Sequence, residues 1–353
     1  MRRKTAQMAL FSKKTGPAPL DGVDVVLADL DGVVYAGPGP IPHAVESLTR
    51  AAAEGRRLGY ITNNASRTDA TVAAHLSELG LPTRADEVVT SPQAAMRLLR
   101  EKVAPGSTIL VVGGEGLVVE VEKAGYVVTR SAEDAPAAVV QGFAPEVGWT
   151  QLAEAAYALA TPEDEGGIPW IATNTDWTIP QARGIAPGNG TLVSAVHTAV
   201  GRLATVAGKP EAPIFHEAVA RFGATKPLFL GDRLDTDIQG AQAAGIDSAV
   251  VLTGIDRPKH ILAAPSHARP TYILSDLREL FEPYPVVRQK GDVTSVRDAT
   301  VRIAGPDVEI VSEGDSDIDL LRAAAHAIWA TGRQIFGFRV PERLYADPFH
   351  RQR

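Results

Sequence analysis

The sequence predicts an α/β protein: a doubly wound parallel-sheet core with an inserted α/β cap and a small C-terminal β-β-α-β module. Three observations predict it. Short apolar runs rich in Val, Ile and Leu recur along the chain, Ala-rich amphipathic segments separate them, and several runs end in acids, amides or hydroxyls. Short apolar runs bounded by Gly or Pro read as strands buried on both faces, and their alternation with helices implies parallel pairing.

The first strand is "VVLA" from Val25, with a helical pattern after it from about His43 to Glu54. "RLGYIT" from Arg57 is the second strand, with helical patterns near Ala70–Leu79 and Pro92–Val103. "TILVVG" precedes a helix ending near Ala124. "AAVVQG", "PWIAT", "PLFLG", "SAVVL" and "PTYIL" are the later strands, in that order. After Tyr284 the texture changes. Strands joined by turns at Lys290–Asp292 and Gly305–Asp307 lead to a helix from about Ser316 to Ala330, closed by Gly332, and "QIFGFRV" reads as a last strand. A chain of 353 residues exceeds what one hydrophobic core normally holds. The expected division is residues 1–90 plus 206–284 for the core, 91–205 for the cap and 285–353 for the C-terminal module.

Composition bounds the partners. The chain is 45% hydrophobic and 22% charged, as soluble globular proteins are. Its formal net charge of −7 gives no reason to expect nucleic acid or an anionic membrane. With 0 cysteines it has no disulfide, thiolate nucleophile or Cys-based metal site, which fits a cytoplasmic protein. Lys13 and Lys14 interrupt the N-terminal stretch before any apolar core of a signal peptide can form.

The residues just beyond each strand point to chemistry, because doubly wound sheets bind ligands outside the carboxyl ends of their strands. "VVLA" runs into Asp29-Leu30-Asp31. Alternate strand residues share a face, so these acids would project together about 6.6 Å apart along the strand. Two such charges at ~4 Å repel by about 4 kcal/mol at an effective dielectric of 20. After "RLGYI" come Thr62, Asn63 and Asn64; "GKP" contains Lys209; after "PLFL" comes "GDRLDTDI", with Asp232, Asp235 and Asp237. Three or more carboxylates gathered in one place require a cation, and oxygen ligands suit Mg²⁺.

These segments resemble, in order, the four motifs of the haloacid dehalogenase superfamily of phosphohydrolases: "DLDGV", the Thr62 of "ITNN", the Lys209 of "GKP", and "GDRLDTDI". The resemblance covers roughly residues 20 to 284. The large insertion between the second and third motifs is similar to that of the 4-nitrophenylphosphatase, phosphoglycolate and glycerol-phosphate phosphatase branch. It implies a Mg²⁺-dependent phosphatase of small phosphorylated metabolites, glycerol phosphate and phosphoglycolate first, with pyridoxal phosphate or a nucleotide behind them. Asp29 would be the nucleophile and Asp31 the acid–base group. Thr62 and Lys209 would hold the phosphoryl group. The side chains of Asp29 and Asp232, with the backbone carbonyl of Asp31, would bind the metal, and Asp237 would position Lys209 or a metal-bound water. Asn63 and Asn64, with Asn174, Asp176 and Arg183 of the cap, are the expected substrate contacts. The branch commonly has "NPD" or "NRD" where this chain has "NTD" at 174–176. Its caps often mediate dimerisation, which makes a homodimer an expectation.

Two other signals carry less. "GGEG" at 113–116 lacks the lysine and spacing of a phosphate-binding P-loop, and "DSDID" from Asp315 has neither the glycine nor the glutamate of a calcium loop. A phospho-acceptor signalling domain would share an Asp, Thr and Lys, but would have neither the cap nor Asp31. A regulatory binding role for the C-terminal module is a third reading.

Overall fold

The structure, a computed structural model, describes residues 15–181 and 183–346. Most of the stretch tested for a signal peptide lies outside these residues, as does the end of the C-terminal module. Six parallel strands form the central sheet, in the order Tyr272–Leu274, Asp247–Val251, Pro227–Gly231, Val25–Ala28, Arg57–Thr62, Val88–Thr90. From Val25–Ala28 the chain adds strands outward on one side, then returns to add Pro227–Gly231 and its neighbours on the other. The boundary between those two strands is the switch point at which such sheets open a crevice. Alternate residues of the first strand face opposite clusters. Val25 and Leu27 pack with Phe215 and Phe229; Val26 and Ala28 pack with Leu48 and Leu228.

A second parallel sheet, in the order Thr205–Val206, Trp170–Ala172, Ala138–Gln141, Thr108–Val112, Val127–Thr129, forms the cap. The Ser91–Lys102 helix lies between the two sheets. Its Ala94, Ala95, Met96 and Leu99 join Val25 and Phe229 of the core to Ile109, Val111 and Ile171 of the cap in one apolar cluster.

The C-terminal module departs from the sequence expectation. Four antiparallel strands, Val287–Lys290, Val293–Val296, Ala299–Ala304 and Asp307–Ser312, precede the Asp317–Ala330 helix. "QIFGFRV" is not a strand: Ile335–Gly337 turns as a short 3-10 helix, and only Arg339 bridges back, to Asp307. That turn on one side and Pro341 on the other leave no run long enough to pair. The Asp317–Ala330 helix is buried on almost every side, with Leu320, Leu321 and Ile328 sharing a cluster with Val250, Leu252 and Ile261 of the core. Among the described residues, no helix is long and apolar enough to cross a membrane.

Candidate active site

Asp29 and Asp232 each stand just past one of the two strands that flank the switch point, and this placement builds the site. Asp29, Asp232 and Asp237 bring one carboxylate oxygen apiece within 4.8 Å of one another. Lys209 enters between them, donating from Nζ to Asp29 Oδ1 at 2.6 Å and to Asp237 Oδ1 at 2.7 Å. Asp237 also accepts from the backbone N–H groups of Asp232 and Arg233, at 3.1 and 3.2 Å on Oδ2. It therefore ties the lysine to the loop that carries Asp232. Asp232 and Asp237 are almost wholly buried, and so is Lys209.

Burial without enough positive charge shows in the acids. Desolvation pushes the Asp29 pKa up to about 7; Lys209 opposes the rise, and Asp237 and Asp31 reinforce it. Desolvation likewise raises Asp232 well above the usual carboxylate range, with Asp237 and Asp29 adding to it. For Lys209, burial disfavours the charge, but the two carboxylates outweigh it and raise its pKa. Three carboxylates and one ammonium sum to −2 when ionised, and the oxygen-only donor set suits a hard divalent cation. Mg²⁺ fits both the charge and the donors. Gly32 adds a steric reason for the local sequence: with φ +82°, a Cβ there would stand 2.2 Å from Asp232 Oδ2.

Asp31 lies at the exposed side of the same loop. The surrounding protein still raises its pKa by desolvation, against the attraction of Lys209, Arg67 and His75. Thr62 is buried, and its Oγ1 accepts from Asn64 N at 3.1 Å, leaving the hydroxyl hydrogen free to donate. Asn64 Oδ1 accepts from Ser66 N and Ser66 Oγ at 2.9 and 2.8 Å, so that oxygen orders its own loop.

The cap residues divide. Asn174 and Asp176 reach the core: Asn174 Nδ2 donates to Asn63 O at 2.8 Å, and Asp176 accepts from Asn63 Nδ2. Desolvation raises the Asp176 pKa, opposed by the Asn63 bond and Lys209. "PGNG" holds this loop from behind, Gly190 N donating to Asp176 O at 2.9 Å and Asn189 Nδ2 to Asn174 O at 2.7 Å. Arg183 stands apart, exposed at the tip of the Thr178–Gln181/Gly184–Pro187 hairpin. Sequence reasoning missed the loop after Val251, where Ile255 N donates to Asp232 Oδ2 at 2.6 Å. Its position past a core strand was the available signal.

Comparison with known proteins agrees with this geometry. A haloacid dehalogenase-like hydrolase family model matches residues 26–127, and a second, HAD-hydrolase-like model matches residues 206–280. A D-glycerol 3-phosphate phosphatase of Mycobacterium tuberculosis is 44% identical over 310 residues, covering 87% of this chain and 86% of that protein. The crystal structure of a glycerol phosphate phosphatase from M. tuberculosis in complex with magnesium superposes with a TM-score of 0.82 at 40% identity, covering 92% of this chain and 95% of that one. A 4-nitrophenylphosphatase from Thermotoga maritima matches with a TM-score of 0.68 at 28% identity, over 75% of this chain and 98% of its own. This chain belongs to the haloacid dehalogenase-like hydrolases and groups with their phosphatases.

Proposed function

We propose that the chain is a Mg²⁺-dependent phosphomonoesterase acting on small phosphorylated metabolites, with glycerol phosphate ahead of phosphoglycolate. The observation that carries this is Lys209 bonded at once to Asp29 and Asp237, with Asp232 beside them at the switch point. The relatives' activities support the choice of substrate.

The Asp29 carboxylate attacks phosphorus and the ester oxygen leaves, which splits one slow hydrolysis into two easier steps through an aspartyl phosphate. Asp31 gives its proton to the departing oxygen, then takes one from the water that attacks the aspartyl phosphate. A raised pKa suits Asp31 to the first task, since it keeps the acid form populated closer to neutrality. Thr62 donates its free hydroxyl hydrogen to a phosphoryl oxygen. Lys209 offsets the charge on Asp29 and the phosphoryl group and is held in place by Asp237. Asp29, Asp232 and the Asp31 carbonyl would hold Mg²⁺, which supplies positive charge to the phosphoryl oxygens and relieves the carboxylate repulsion.

Phosphate release from a panel of small monoesters tests the reading. The panel holds glycerol phosphate, phosphoglycolate, pyridoxal phosphate and a nucleotide, each assayed with Mg²⁺ and with EDTA. Glycerol phosphate is expected to lead, with release lost in EDTA and in Asp29→Asn. Full turnover by Asp29→Asn would refute the mechanism; a different leading ester would refute the substrate assignment.

A further inference from the structure

The segment Thr253–Asp256 lies outside the four motifs, yet it touches both acidic loops. Thr253 Oγ1 donates to Gly32 O at 2.6 Å, beside Asp31. Ile255 N donates to Asp232 Oδ2 at 2.6 Å, and Asp256 N donates to Asp232 O at 3.1 Å. Asp256 Oδ2 in turn accepts from Leu234 N at 2.6 Å. Asp256 thus grips the backbone on both sides of Arg233, fixing the turn that presents Asp232. Gly254 makes the approach feasible: a Cβ there would stand 1.9 Å from Asp232 Oδ2. With Oδ2 bonded to Ile255 N, the segment leaves Oδ1 of Asp232 open to other ligands.

Resting on the metal reading above, we propose that Thr253–Asp256 is a positioning segment that sets the metal affinity of the site. Asp256 acts through the Asp232 backbone and Thr253 through Gly32. A carboxylate held at one rotation and height binds a cation without first being ordered, and groups that orient metal ligands typically govern 10–100-fold in affinity. A purely structural loop would affect melting temperature and leave affinity alone.

The test is Mg²⁺ binding by isothermal titration calorimetry to the full chain without substrate. It compares the parent with Asp256→Ala, Asp256→Asn and Thr253→Val, with Asp232→Asn as control and a melting temperature for each. Asp256→Ala is expected to weaken Mg²⁺ binding about 10–100-fold, while substrate KM at saturating Mg²⁺ stays unchanged. Asp256→Asn keeps an oxygen for Leu234 N and should stay within about threefold, and Thr253→Val should weaken binding in the same direction as Asp256→Ala. Loss of binding in Asp232→Asn, with unchanged affinity in Asp256→Ala and Thr253→Val, would overturn the positioning role and leave the metal reading standing. Undiminished binding in Asp232→Asn would overturn both. Should Asp256→Ala fail to fold, Thr253→Val decides alone.

Discussion

Asn63 donates from Nδ2 to both carboxylate oxygens of Asp176, at 3.1 and 3.2 Å, so the end of a core strand is tied directly to a loop of the cap. The same Nδ2 donates to Lys209 O at 3.0 Å, and Asn63 Oδ1 accepts from Lys209 N at 2.8 Å. Both N–H groups of this amide are engaged. Its geometry is that of a joint between the cap, the loop after Arg57–Thr62 and the backbone of Lys209.

Asn63→Ala is therefore expected to lower kcat and to cost about 1–3 kcal/mol of stability by leaving buried partners unsatisfied. Urea denaturation and steady-state kinetics check this. A rise in KM with kcat and stability unchanged would assign Asn63 to substrate contact instead.

Lys209→Met removes the buried cation and leaves Asp29 and Asp237 facing each other. Breaking a buried pair in this way typically costs about 3–5 kcal/mol. In EDTA the variant should be less stable by that order, and inactive with Mg²⁺. Adding Asp237→Asn should return part of the stability and none of the activity, which a double-mutant cycle in urea would measure.

His326 predicts a pH dependence remote from the site. Desolvation lowers its pKa, and the Arg269 and Arg322 charges add to the effect; its ring meets Trp329 edge-on at 5.2 Å. The folded chain keeps the imidazole neutral, while the unfolded chain takes up a proton below the ordinary value of about 6.5. The unfolded state then binds more protons, so stability present above pH ~6.5 is lost as pH falls toward the lowered folded value. Urea midpoints at pH 7.5 and 5.5 should differ less in His326→Gln than in the parent. An equal difference would remove His326 as the cause.

Arg322 predicts that the C-terminal module is part of the folding unit. It is 2% exposed, donates to Asp319 Oδ1 at 2.8 Å and Ile273 O at 2.6 Å, pairs with Glu279, and lies 4.6 Å from the Tyr284 ring centroid. Arg322→Met should cost about 1–3 kcal/mol by leaving Glu279 without its cation, while Asp319 keeps Arg297 at 3.0 Å. A chain ending at Tyr284 would expose Val250, Leu252 and Ile261, and is expected to aggregate on expression. A soluble truncation with the parent's melting temperature would refute this.

The sequence made the inner strands of the two parallel sheets and the Tyr272–Leu274 edge legible, and lost the other edges. Val88–Thr90, Val127–Thr129 and Thr205–Val206 went unread, and all three are edge strands of two or three residues. An edge strand makes half the pairings and needs no long apolar run. Asp29, Lys209, Asp232 and Asp237 could be found because each stands at a strand end or in a motif with fixed order. Asn63 was found, but its work as a joint was not readable, since its partners lie 113 and 146 residues away. The Thr253–Asp256 segment left little trace because two of its four bonds to the acidic loops are donated by its own main-chain N–H groups, which any residue but proline supplies.

The pairing of Val25–Ala28 with Pro227–Gly231 also has a consequence during synthesis. Asp29 and Lys209 are 180 residues apart, so at about 5–20 residues per second the ribosome takes roughly 10–40 s to pass from one to the other. Until Pro227–Gly231 is made the first strand has no neighbour on that side, while the cap sheet is complete in sequence as soon as Thr205–Val206 has been made. The nascent chain can therefore finish its cap before it can finish its core. A product truncated before Pro227 therefore carries Asp29 without the strand that brings Asp232 beside it.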